Sequence, residues 1–153
     1  MVNPTERLKK AGIELPPAVT PLGPYAPTVQ TGNLLFLSGM LPIVGHAPKF
    51  VGRVGKELNL EQGRQAAYAA ALNVLAVARE HLGSLDRVSR VVKLAVYVAA
   101  AGDVDLVRIA DAVSEVLRDV FGSDRLPVRL VFGVEGLPLG TPVELETVFE
   151  VSA

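Results

Sequence analysis

The stretch Leu126-Pro127-Val128-Arg129-Leu130-Val131-Phe132-Gly133-Val134 decides how the rest of the chain is read. Its alternation is that of a β-strand, with Val128, Leu130, Phe132 and Val134 on one face and Arg129 with Val131 on the other. Arg129 stands alone in this apolar run. A guanidinium is rarely buried without a partner, because desolvating the charge is costly. Either a carboxylate of the protein, a neighbouring subunit or an anionic ligand meets it, or the strand is an edge strand with Arg129 in water. The planar fork of arginine suits bidentate capture of a carboxylate.

Working outward, a helix begins near Asp103. It buries Leu106, Ile109, Ala110, Val113, Leu117, Val120 and Phe121 and stops at Gly122. Before it, Val91–Val98 alternates as a strand, with Val92, Leu94, Val96 and Val98 on one face and Lys93 and Tyr97 on the other. Asn59 and Gln62 resemble the ends of a capping box for a second helix, in which Tyr68, Ala71, Leu72, Leu75, Ala78 and Leu82 share a face before Gly83. Thr28–Gln30 and Leu34–Ser38 flank the tight turn Thr31-Gly32-Asn33, and 42–57 reads as a loop or small β excursion. Downstream, Val143–Val151 places Val143, Leu145, Phe149 and Val151 toward the helices and Glu144, Glu146, Val148 and Glu150 away. The order β-β-α-β-α-β-β is an α+β fold, two helices packed on one face of a mixed sheet. That leaves an open face on which Val131, Val148 and Tyr97 lie among charges, and subunit contact is the expected cover. If the last two strands form one hairpin, Arg129 lies opposite Val148, roughly 13 Å along the sheet from Glu144.

The chain ends of this reading are simpler. Asn3 caps and Pro4 opens a short helix that stops at Gly12, so residues 1–14 form a helical extension to a single domain spanning 1–153. Prolines 16, 17, 21, 24 and 27 force the next stretch to run extended. The 153 residues balance 15 Lys+Arg against 16 Asp+Glu, without the basic surplus that draws in nucleic acid. Cysteine is absent, which excludes disulfides, zinc–thiolate sites and a Cys nucleophile. With neither a secretory-type leader nor a spanning apolar stretch, a cytoplasmic protein is expected. His46 lies in a loop and His81 near a helix end, where it serves the helix C-terminus. Neither makes a metal-binding spacing, so no metal is expected.

Two further segments carry possible chemistry. In Gly23-Pro24-Tyr25 the proline can fix a tyrosine hydroxyl in place. In Leu37-Ser38-Gly39-Met40-Leu41-Pro42 the glycine admits close approach to the backbone. A turn with a packed tyrosine reads the same residues without function.

Together these segments carry a resemblance. Gly23-Pro24-Tyr25, Thr31-Gly32-Asn33-Leu34-Leu35-Phe36-Leu37-Ser38-Gly39 with Pro42, Pro127-Val128-Arg129 with Leu137-Pro138, and Val143-Glu144-Leu145-Glu146 are similar to the RidA (YjgF, endoribonuclease L-PSP-like) family from about Ala18 onward. The resemblance implies a chorismate-mutase-like fold and a homotrimer with clefts between subunits. It also implies hydrolysis of 2-imino or 2-enamino acids to 2-keto acids and ammonia, without a cofactor. Carried over, Arg129 binds the substrate carboxylate and Glu144 positions water, as the two catalytic residues. Tyr25, Ser38, Gly39, Val131 and Ser114 line the substrate site. Three departures mark a divergent subgroup. The family's helix asparagine falls near Ser114 and is restored neither there nor at Asp111, Met40 replaces a glutamine, and the N-terminal helix and the 43–58 segment look like additions. A pocket kept for binding alone, a chaperone-like surface, a ribonuclease, and a chorismate mutase using Arg129 and Lys93 are the rival readings.

Overall fold

A computed structural model describes residues 2–152. Helix α1 (Pro4–Lys10) starts where Asn3 accepts the Glu6 N–H through its side chain, with Pro4 in the first turn. Helix α2 (Leu60–Leu82) has a complete capping box between Asn59 and Gln62, and Gly83 closes it in the left-handed conformation. Helix α3 (Leu106–Phe121) is capped by Asp105, two residues beyond the start read from the sequence, and ends at Gly122. Strands β1 (Thr28–Thr31), β2 (Leu34–Leu37), β5 (Val88–Ala99), β6 (Val128–Val134) and β7 (Val143–Val151) form one sheet in the order β1-β2-β7-β5-β6. Strands β3 (Ile43–Val44) and β4 (Ala47–Pro48) make a separate small hairpin in the 43–58 segment.

Strand β5 organises the sheet. It runs antiparallel to β7 and parallel to β6, with α3 as the crossover between β5 and β6. The hairpin expected between the last two strands is therefore absent: β5 lies between β6 and β7, and Tyr97 is the residue beside both Glu144 and Phe132. Leu35, Leu94, Val96, Val98, Leu145 and Phe149 face the helices and are fully buried against Ala70, Val74, Leu75, Ile109, Val113 and Leu117. Alanines along α2 let this helix lie close on the sheet, where larger side chains would hold it away.

Three further expectations about which residues face the core need correction. Val91, not Val92, is the buried residue at the start of β5, because the register with β7 shifts between Val91 and Lys93 and turns the pleat there. Tyr68 of α2 is exposed, and Ala67, Ala70, Ala71 and Val74 take the core face. The third concerns β6, whose faces are reversed. Val128, Leu130 and Phe132 are 73%, 49% and 46% exposed on the open side, while Val131 packs against the core and Arg129 turns toward α3. The reason is chemical: α3 offers Asp111 and Ser114 to the guanidinium, so the edge strand turns its one cation toward polar partners and leaves its apolar row uncovered.

Candidate functional site

Gly39 and Glu144 meet because of a short backbone bridge. The N–H of Met40 donates to the Leu145 carbonyl at 2.8 Å and the Leu145 N–H donates back to the Met40 carbonyl at 2.9 Å. This pair extends β2 beside the start of β7 and lays Gly39 directly against the Glu144 side chain. A Cβ at Gly39 would stand 2.2 Å from Glu144 Oε2 and 2.9 Å from its Cδ. Glycine here is a requirement of close approach rather than of a turn.

The proline-rich segment closes over this junction. The Leu22 N–H donates to the Tyr25 hydroxyl oxygen at 3.1 Å, folding the segment back on itself. Ser38 donates its hydroxyl to the Ala26 carbonyl at 2.5 Å and its N–H to the Pro27 carbonyl at 3.0 Å, tying the segment to the end of β2. The result is a cavity of about 340 Å³ with Pro21, Leu22 and Tyr25 on one wall, Met40, Ile43 and Val77 on another, and Ser38, Gly39 and Glu144 at the junction. Asn73 of α2, 2% exposed, donates its amide hydrogens to the carbonyls of Leu41 and Ile43 at 2.8 and 2.9 Å, fixing the chain just past Gly39.

Glu144 is the carboxyl that lines this cavity. Burial raises its pKa above the ordinary carboxyl value of 4.5, since the charged form loses hydration. On the neighbouring strand Tyr97 donates its hydroxyl to Glu146 at 3.1 Å and stacks on Phe132 with ring centroids 5.8 Å apart. Its phenol is shifted upward, first by burial and then by the Glu146 hydrogen bond. Lys93 lies 3.7 Å from Glu146 on the same open face.

Of the residues singled out from the sequence, Tyr25, Ser38, Gly39 and Glu144 come together here, and Arg129, Val131 and Ser114 form a second group at the β6 edge. Arg129 Nη1 donates to Asp111 Oδ1 at 2.8 Å and to Ser114 Oγ at 3.0 Å. Within one chain the two groups stand apart: Arg129 is two strands over from Glu144 and three residues along from Phe132, roughly 14 Å at sheet spacing, and on the opposite face. Lys93 and Arg129 likewise project to opposite faces, so within one chain they do not meet a common anion. Two partners escaped the sequence reading. Asp111 stood three residues, one helical turn, before Ser114, a spacing that puts both on one face. Asn73 gave no sign beyond being a polar residue in an apolar stripe.

Neither histidine lines the cavity. His46 hydrogen-bonds Thr20, and His81 bonds Thr28 and Gln30 of β1 instead of the helix carbonyls it was expected to serve. Among the described residues no group of three or more His, Asp or Glu side chains gathers to hold a metal, and no helix is long and apolar enough to cross a membrane.

Residues 5–149 match the family model described as "YjgF/chorismate_mutase-like, putative endoribonuclease", a span that takes in the whole 43–58 segment and all of α1 but Pro4. The chain is 35% identical to Protein TCP17 of Trypanosoma cruzi, covering 95% of this chain and 92% of the relative. It is 30% identical to the 2-iminobutanoate/2-iminopropanoate deaminase of Dermatophagoides farinae, covering 89% and 92%. Its structure superposes with a TM-score of 0.92 on a crystal structure from Shewanella oneidensis described as a putative endoribonuclease, at 25% identity, covering 98% of this chain and 100% of that one. Sequence and overall fold agree, and the chain belongs to the RidA/YjgF family, with its chorismate-mutase-like α+β fold.

Proposed function

We propose that the protein is a homotrimer that hydrolyses reactive 2-imino or 2-enamino acids to 2-keto acids and ammonia in clefts between its subunits. The observation that carries this reading is Glu144, a half-buried carboxyl pressed against Gly39 in a small cavity beside Tyr25. A raised pKa makes a carboxylate a stronger base than one in water, which suits it to take a proton from an attacking water. The relative from Dermatophagoides farinae carries this activity in its name, which supports the substrate class.

The chemistry asks little of the protein. Water adds to the electrophilic C2 as Glu144 takes a proton from it and passes that proton to the imine nitrogen, giving a carbinolamine. Glu144 then takes the carbinolamine hydroxyl proton and delivers it to the nitrogen, and ammonia leaves as the C–N bond breaks and the C2 carbonyl forms. Positioning the water and the substrate accounts for most of the acceleration. The substrate carboxylate is held by Arg129 of a neighbouring copy, because the arginine of the same chain lies too far away and on the wrong face. Val131 and Ser114 accompany that arginine into the cleft. The uncovered row Val128, Leu130 and Phe132, with Val29 and Phe36 also exposed on that face, supplies apolar surface for assembly.

Binding without turnover is the second reading, favoured by Ser38, whose N–H and hydroxyl are both committed to carbonyls of the proline-rich segment. The test is a semicarbazide-trapping assay on imines released by an amino-acid oxidase, with calorimetry of 2-oxobutyrate. Wild type should shorten the lifetime of the trapped imine, and Arg129→Ala should lose both hydrolysis and 2-oxobutyrate binding. Binding retained by wild type without hydrolysis of any imine would leave the binding-only reading.

A further inference from the structure

The pair Asp111 and Ser114 has a consequence for how an anion is read at the β6 edge. Both hydrogen bonds are made by Arg129 Nη1, at 2.8 and 3.0 Å, which uses the two hydrogens of that nitrogen. Nε and Nη2 have no hydrogen-bond partner among the described residues, and the Arg129 side chain is 26% exposed. These two nitrogens form the edge of the guanidinium that accepts a planar carboxylate through two parallel bonds.

We propose that Asp111 is a positioning residue. With Ser114 it clamps Arg129 by one nitrogen so that the Nε–Nη2 edge is presented, already oriented, to the carboxylate of a 2-keto or 2-imino acid. The proposal rests on the assignment of Arg129 as the carboxylate ligand, and goes beyond it in giving Asp111 the orienting role.

Charge and orientation at Asp111 act in opposite directions on an incoming carboxylate. Asp111 places a negative charge 2.8 Å from the very cation that must attract an anion. Coulomb's law alone therefore says that removing Asp111 strengthens carboxylate binding. Orientation says the opposite: a long, flexible arginine freed from its clamp must be ordered at each binding event, and that entropy weakens the complex. Helix α3 and strand β6 are both parts of the packed body, so the clamp is rigid at both ends. Asparagine separates the two effects, because it keeps an acceptor oxygen and loses the charge.

The experiment measures 2-oxobutyrate affinity by calorimetry, and kcat and KM for imine hydrolysis, for wild type, Asp111→Ala, Asp111→Asn and Arg129→Ala. Circular dichroism melts verify that each variant is folded. Asp111→Ala should weaken 2-oxobutyrate roughly tenfold or more, the scale of one lost charge-assisted hydrogen bond, and raise KM with less change in kcat. Asp111→Asn should bind as well as wild type or better. Equal or tighter binding by Asp111→Ala overturns the proposal, making Asp111 a bystander or a competitor. Binding by Asp111→Asn as weak as that of Asp111→Ala also overturns it, since the acceptor is still there. If Arg129→Ala binds like wild type, the carboxylate assignment itself falls and the orienting role falls with it, a result separable from the first two.

Discussion

Adding one methyl group at Gly39 should separate the position of the Glu144 carboxyl from its presence. In Gly39→Ala the new Cβ would begin 2.2 Å from Glu144 Oε2, where ordinary contact starts at 3.4 Å, so the oxygen has to retreat by about 1.2 Å. The atom displaced is the far end of a flexible side chain, and Gly39 is not among the glycines with positive φ, so the backbone accepts alanine. Stability should therefore change little, by roughly 1 kcal/mol or less, the usual size for rotating one half-buried side chain out of place. Activity should not be spared. A misplacement of about 1 Å in a catalytic group costs on the order of 10²-fold. The assay is imine hydrolysis under saturating and limiting substrate, beside a thermal melt. Adding Glu144→Gln to Gly39→Ala should cost little more than either change alone, because both act on one group. A Gly39→Ala protein with wild-type turnover would refute the reasoning, showing that the place of this carboxyl is immaterial.

Glu144→Gln alone should lower imine hydrolysis on the order of 10²-fold, the scale of a lost general base, while 2-oxobutyrate binds as well as in wild type or better. Burial holds the Glu144 proton more tightly in the folded chain than in the unfolded one, so its stabilising share is present below the ordinary carboxyl value and is lost as pH rises through the raised one. Melts of Glu144→Gln should thus match wild type in acid and exceed it above that window; a difference that shrinks with rising pH would contradict this. Turnover should climb across the same window in wild type only. Leu130→Asp puts a charge into the uncovered β6 row and should reduce the mass in light scattering to that of one 16.2 kDa chain, whereas a wild type already at that mass at micromolar concentration refutes the trimer. Asn73→Ala leaves the Leu41 and Ile43 carbonyls without their donor and should destabilise the fold by about 1–3 kcal/mol in urea titration; no change would mean water replaces the amide.

What could be read from the sequence followed local chemistry. Asn59, Gln62 and Gly83 announce the ends of α2 because capping is settled within a few residues, and the alternation of β7 is legible because its inward residues Val143, Leu145, Phe149 and Val151 are all buried. The errors arose where distant residues decide. Val92 lost its place to Val91 through a register shift that only pairing with β7 imposes. The faces of β6 were reversed because an apolar row looks like core until an uncovered sheet edge, and an acid on α3, are known. The cavity followed the same rule: Tyr25, Ser38 and Gly39 were legible as a motif, but their meeting with Glu144 depends on the Met40–Leu145 bridge, more than 100 residues apart in the chain.

The cavity wall from Val19 to Tyr25 belongs to no helix and no strand, yet it is shaped by Pro21, Pro24 and the neighbouring prolines. Each proline has one backbone angle set before folding begins, so the unfolded chain has fewer conformations to surrender there. A wall built of ordinary loop residues would either move in the folded protein or need a ladder of hydrogen bonds to hold it. This one is stiff by covalent geometry. A small ligand entering the cavity meets a surface it does not have to organise, and little of its binding free energy is diverted to ordering the protein.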